Sequence, residues 1–352
     1  MSSKILDPRK LKALQPATAL WDLYHPEEAP LRFRARTAAE ARRWQRVTRP
    51  ALRAALGFTH LPPAPLAPRR IEAVDRGDFV REKILLRTSR HTLMPVYLLL
   101  PKRAPRPLPV VVAFHGHGYG VKDIVGLWED GAERRTPDGY HKDFAVALCR
   151  RGFAVAAPEI SCFGERQTVF GPEACGVTTC THTATLAFHL GGSAVGLRVH
   201  DGRKLVDYLA TRKDLDTTRL GAMGISGGGL HTLFSACADT RIKAAVISGY
   251  FCTFRACIFG IAHCACNYVP GLHRFGEMYD LAALLAPRPV LIEAGDHDPI
   301  FPLRAVKQAV QRLRAEYGVF GAGNRVATDY FEGRHQVSGR RAYDFLWDAL
   351  HG

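Results

Sequence analysis

No stretch of the 352-residue chain reaches the roughly 18 consecutive apolar residues that a membrane-spanning helix needs. That absence argues against a membrane partner. The first ten residues carry no apolar core and no small-residue cleavage site, so they do not read as a secretory signal. Acidic residues are scarce, 33 against 48 Lys and Arg, and the formal net charge is +15. Yet no block of five or six like charges occurs, and the excess is arginine spread from end to end. The charge therefore reads as a generally basic surface, and no nucleic-acid partner is expected. No internal repeat is present either, which argues against a solenoid or propeller.

Cysteine number and spacing are equally restrictive. There are nine, at 149, 162, 175, 180, 237, 252, 257, 264 and 266. An odd count without a signal, with several inside apolar runs, predicts reduced thiols in a cytoplasmic protein. Cys264 and Cys266 follow His263, but C-x-C is not the C-x₂₋₄-C spacing of a common zinc site. No second C-x-x-C or H-x₃₋₅-H pair accompanies it. They read as small buried hydrophobes, and neither a metal nor a cofactor is expected.

Apolar residues make up 47% and charged residues 23%, the composition of a globular protein with a large core. Residues 1–70 read as an N-terminal helical extension, with a helix from Thr37 to Leu56 and a proline-rich connector after Leu61. Residues 71–352 read as one catalytic domain. It opens with a hairpin, Phe79–Arg87 and Leu93–Leu100. The nearly all-apolar run Leu108–Phe114 suits a strand buried on both faces. Strands then alternate with helices to the C-terminus. The later strands are expected near Phe153–Ala157, Arg219–Ile225, Ile242–Ile247, Pro289–Ala294 and Arg325–Phe331. This predicts an α/β fold with a mostly parallel central sheet, helices on both faces and antiparallel strands at the N-terminal edge. Ligands in such sheets sit beyond the carboxyl ends of the strands, so chemistry is sought there.

Four strand ends carry it. Gly224-Ile225-Ser226-Gly227-Gly228 is a G-x-S-x-G turn between strand and helix. Small residues two before and two after let the chain turn sharply and lift Ser226 above the sheet as a nucleophile. The Gly227 N–H then faces a developing oxyanion. His115-Gly116-His117-Gly118 ends an earlier buried strand, where the second oxyanion donor belongs, and the backbone N–H of His117 is assigned to it. The paired imidazoles are not read as metal ligands, and His115 is expected to hydrogen-bond the loop into shape. A base must come late in the chain. His335 follows the last strand, whereas His351 lies next to the C-terminus. The orienting acid lies in Gly295-Asp296-His297-Asp298-Pro299. Both carboxylates are candidates; Asp298, deeper in the loop, is favoured, with Asp296 as a loop cap.

These motifs resemble the dienelactone-hydrolase and acetyl-xylan-esterase-like branch of the α/β-hydrolases. The resemblance covers roughly residues 75–350. It also rests on Ala157-Pro158-Glu159, Gly164-Glu165-Arg166, Ala286-Pro287-Arg288-Pro289 and Gly333-Arg334-His335. It implies hydrolysis of small acyl esters, acetyl esters above all, through an acyl-serine and without a cofactor, and it supports Asp298 as the acid. The chain departs from dienelactone hydrolases proper, which use cysteine where this chain has Ser226. A prolyl-oligopeptidase-like peptidase, a lactone or carbon–carbon bond hydrolase, and a non-catalytic binding protein with a basic surface are the competing readings. Inserts near 160–194 and 249–277 lie where they could cover the site. Their aromatics either line an apolar acyl pocket or pack beneath the loops.

Overall fold

A computed structural model describes residues 12–58, 61–170 and 177–352. In these described residues nine strands form one sheet: β1 (Arg69–Asp75), β2 (Phe79–Ser89), β3 (Thr92–Pro101), β4 (Leu108–Phe114), β5 (Ala154–Pro158), β6 (Leu215–Ile225), β7 (Ala244–Ser248), β8 (Val290–Gly295) and β9 (Val326–Phe331). Their spatial order is β1-β2-β3-β5-β4-β6-β7-β8-β9. The first three pair antiparallel, and β3 runs antiparallel to β5. Every pairing from β5 to β9 is parallel. The expected α/β class and antiparallel edge are thus present, with β1 an additional edge strand.

Among the described residues, nine α-helices accompany the sheet: α1 (Pro16–Asp22), α2 (Ala38–Leu56), α3 (Phe144–Arg150), α4 (Thr179–His189), α5 (Ala194–Leu209), α6 (Gly227–Ala238), α7 (Met278–Ala282), α8 (Leu303–Val319) and α9 (Ala342–His351). The reason β4 is apolar throughout is visible in its two faces. Val110, Val112 and Phe114 join a core with Leu52 of α2, Val195 of α5, Phe234 of α6 and Leu313 of α8. Val111 and Ala113 join a second core with Phe144 of α3 and Leu346 of α9. Alternate side chains of a strand point to opposite faces, so a strand covered by helices on both sides needs no polar position.

The N-terminal segment is fastened to this body. Thr37 caps α2 in a reciprocal box with Glu40, and the Thr37 hydroxyl accepts from the Glu40 N–H at 3.3 Å. Three polar side chains of α2 then serve carbonyls of the main body. Gln45 donates to Ala286 O at 2.7 Å, Arg49 to Cys237 O at 2.9 Å, and Arg53 Nε to Ala238 O at 2.8 Å. The last two carbonyls end α6, where no backbone donor remains. Part of the arginine excess is therefore committed to helix ends rather than spread over a free surface. Among the described residues, no helix is long and apolar enough to cross a membrane. Eight cysteines are free thiols; Cys175 lies outside the described residues.

Candidate active site

The parallel strands bring four loops to one edge of the sheet. Ser226 follows β6 directly and opens α6. Its backbone has φ 56° and ψ −121°, a conformation that L-residues avoid and that costs about 1–3 kcal/mol. The turn is held by the Ser226 N–H, which donates to Ser248 O of β7 at 3.0 Å. The flanking glycines are sterically required. A Cβ on Gly224 would overlap the Gly228 carbonyl, and one on Gly228 would overlap Phe114 O of β4. Gly228→Ala should therefore destabilise the fold by at least about 3 kcal/mol, measured by urea unfolding, because backbone rather than a flexible side chain must yield.

His335 lies in the loop after β9. Its Nδ1 donates to Asp298 Oδ2 at 2.7 Å. Asp298 is buried after β8, and its other oxygen accepts from the N–H groups of Ile300 at 2.8 Å and Phe301 at 3.1 Å. The carboxylate is thereby fixed in one rotation, with one oxygen reserved for the imidazole. Phe301 stacks on the His335 ring with centroids 5.8 Å apart, and Tyr140 stacks at 5.5 Å. The far nitrogen, His335 Nε2, is buried and has no hydrogen-bond partner. A Cβ on Gly249 would stand 3.1 Å from His335 Cε1 and 3.4 Å from Ile225 Cγ1, so the ring lies alongside the serine turn. Asp296 takes a different place. It is exposed, and its Oδ1 accepts from the Gly333 N–H at 2.9 Å, tying the acid loop to the histidine loop. The structure thus brings Asp298, and not Asp296, to His335.

The loop after β4 packs against the start of α6. A Cβ on Gly116 would stand 3.1 Å from Ser226 Cβ, and one on Gly227 would stand 3.2 Å from His117 Nδ1. His115 shapes this loop: its Nδ1 donates to Gly116 O at 2.8 Å, and its Nε2 accepts from the Ile160 N–H at 3.0 Å.

Sequence reasoning missed what braces the loop from behind. The Gly116 N–H donates to His141 Nε2 at 2.8 Å, and His141 Nδ1 donates to Asp123 at 2.8 Å. An imidazole that accepts at Nε2 must be neutral, and burial, the largest influence on this ring, lowers its pKa accordingly. Arg134 ties Asp123 to Asp143, and the Tyr140 hydroxyl donates to His117 O at 2.5 Å. Glu293, at the end of β8, is likewise buried. It accepts from Ser248 Oγ at 2.6 Å and from the N–H groups of Ser338 and Gly339 at 2.9 Å, anchoring the chain just after His335. His141→Leu would leave the Gly116 N–H without an acceptor. An unfolding free energy lower by about 1–3 kcal/mol in urea is expected.

The model of the abhydrolase family matches residues 26–317. The chain belongs to that family. Among curated proteins it is 27% identical over 281 residues to the "Putative hydrolase YtaP" of Bacillus subtilis (strain 168), covering 76% of this chain and 88% of that one. Among solved structures it is similar to "a putative acetyl xylan esterase" from Bacteroides fragilis. The TM-score is 0.76 at 19% identity, over 90% of this chain and 82% of that one. It is also similar to a glucuronoyl esterase from Solibacter usitatus, with a TM-score of 0.65 at 16% identity over 88% and 94%. At such identities the two structures speak for the fold of this abhydrolase. The family match reaches back to residue 26 and so includes α2 with the catalytic body.

The structure bears on two readings of the inserts. Tyr250, Phe251, Phe254 and Phe275 are fully buried in the core, so these aromatics pack beneath the loops and do not line an open pocket. Cys266 is buried, as a small hydrophobe would be, and Cys264 is half-buried. With His117 and Cys180 they form a group whose ligand atoms all lie within 4.8 Å of one another. The spacing rule compares neighbours in sequence, and these ligands come from three separate segments.

Proposed function

We propose that this abhydrolase cleaves small acyl esters, acetyl esters above all, through an acyl-serine intermediate at Ser226. The observation that carries the reading is the strained serine turn beside an Asp298–His335 pair whose outer nitrogen is buried and unpartnered. A buried lone pair without a donor costs free energy in a resting protein. Its position suits a base waiting for the serine hydroxyl. The esterases among the similar structures support the same reading.

The chemistry follows from the geometry. Asp298 holds the His335 Nδ1–H, which leaves Nε2 free to accept the Ser226 proton as the hydroxyl attacks the ester carbonyl. The Gly227 and His117 N–H groups, on facing turns, receive the tetrahedral oxyanion, each contributing about 3 kcal/mol. Protonated His335 then gives its proton to the leaving alcohol, and water repeats the sequence to release the acid. No cofactor takes part in these steps. The partner is a small ester, and the free thiols fit a cytoplasmic setting.

A p-nitrophenyl ester series from acetate to decanoate tests the substrate class. Fastest turnover is expected on acetate, declining with chain length. Turnover that rises toward decanoate would overturn the short-acyl assignment, and failure to cleave any ester would overturn the esterase reading.

A further inference from the structure

We propose that His117, Cys180, Cys264 and Cys266 form a closed tetrahedral site for zinc or a similarly soft divalent cation, joining both inserts to the loop behind the nucleophile. The mechanism above uses only the backbone of His117. Its imidazole is free for another role.

Geometry comes first. Cys264 Sγ and Cys266 Sγ are 3.2 Å apart, and Cys266 Sγ is 3.7 Å from His117 Nε2. All four ligand atoms lie within 4.8 Å of one another. Around one zinc ion, with Zn–S about 2.3 Å and Zn–N about 2.0–2.1 Å, two sulfurs sit about 3.8 Å apart and sulfur and nitrogen about 3.5 Å. The Cys264–Cys266 pair would open by about half an ångström, and any pair near the 4.8 Å limit would close by about one, to accept the ion. Three sulfurs and one imidazole select a borderline or soft cation over magnesium or calcium. Four protein ligands leave no open position, which marks a structural centre rather than a catalytic one.

Charge supplies an independent argument. Arg198 of α5 is 1% exposed, and its Nε and Nη1 have no hydrogen-bond partner. Among the described residues no carboxylate pairs with it. Its Nη2 donates to Ser161 O at 3.5 Å, and the polar side chains around it are those of Cys266, Cys162 and Cys180. A fully buried guanidinium needs a counter-charge. A dication bound by three thiolates and a neutral imidazole carries one net negative charge, and Arg198 neutralises it. Three neutral thiols would leave that cation uncompensated.

Topology gives the consequence. His117 lies after β4, Cys180 is in the first turn of α4, and Cys264 and Cys266 lie in the insert between β7 and α7. Cys264–Cys266 and α4 meet across this cluster, and the Phe163 ring packs edge-on against His117 at 5.0 Å. One ion would bind the two inserts to each other and to the loop that carries an oxyanion donor.

The test is metal content by plasma mass spectrometry on protein purified without chelator and under reductant. Wild type is compared with Cys180→Ser, Cys266→Ser and, as a remote control, Cys149→Ser within α3. About one zinc or iron per chain is expected in wild type and control, and at least about tenfold less in both cluster variants. Cobalt(II) added to chelator-stripped wild type should give the intense visible bands of a tetrahedral thiolate site and raise its melting temperature. That measurement stands even if a variant does not fold. Stripped wild type that shows no tetrahedral cobalt spectrum and no thermal shift with zinc would overturn the proposal. So would a Cys264–Cys266 disulfide in the native protein, or undiminished metal in the Cys180 variant.

Discussion

Replacing Ser226 by Ala should lower kcat for p-nitrophenyl acetate by about 10⁴- to 10⁶-fold, with the urea midpoint almost unchanged. The large kinetic effect follows from losing the only atom that can form the acyl intermediate at this turn. The small effect on folding follows from the backbone. Alanine has the same Cβ and meets the same positive φ, 56°, so the strain of the turn is carried over. The Ser226 N–H bond to Ser248 O also remains. Activity lost together with stability would mean that Ser226 serves the fold rather than the reaction.

Asp298→Asn should cost about 10⁴-fold in kcat, against a change of only a few-fold for Asp296→Asn. The reason lies in how the Asp298 carboxylate is held. Oδ1 accepts two backbone N–H groups, from Ile300 and Phe301, and Oδ2 faces His335 Nδ1 at 2.7 Å. In the asparagine variant the amide oxygen stays with the two backbone donors. The NH₂ group then points at Nδ1 and forces it to accept. His335 must carry its proton on Nε2, the nitrogen that should take the serine proton, so the base is present in the wrong tautomer. Asp296 accepts from the Gly333 N–H, lies 3.7 Å from His297 Nε2 and faces solvent. Its substitution loosens a loop that the Asp298–His335 bond still ties. Equal losses in the two variants would contradict this division of roles.

How legible this was in the sequence depends on which signals are local. The β4 run, the glycines around Ser226 and the helix after them are neighbours in the chain, and their steric reasons can be read from it. β4 and α6 accordingly fall where their patterns place them, and β6 ends where expected but reaches back to Leu215, before its apolar run. β1 was missed because it is an edge strand with almost every residue exposed, so it carries no alternation to read. α4 was read as part of a loop because its Thr- and His-rich sequence, TCTHTATLAFH, has only a weak apolar stripe. The His141–Asp123 brace of Gly116 and the Glu293 anchor of the histidine loop are long-range contacts of buried polar groups. No spacing rule reports them. The same holds for His117, Cys180 and the Cys264–Cys266 pair, which lie far apart in sequence and meet only when both inserts fold over the sheet edge.

The central claim, a serine nucleophile driven by His335, is tested most directly by mass spectrometry of the intact protein after reaction with a fluorophosphonate. The account predicts one adduct per chain, mapped to Ser226, absent in Ser226→Ala and strongly slowed in His335→Ala. An unmodified wild-type protein, or an adduct on another residue that persists in Ser226→Ala, would contradict it.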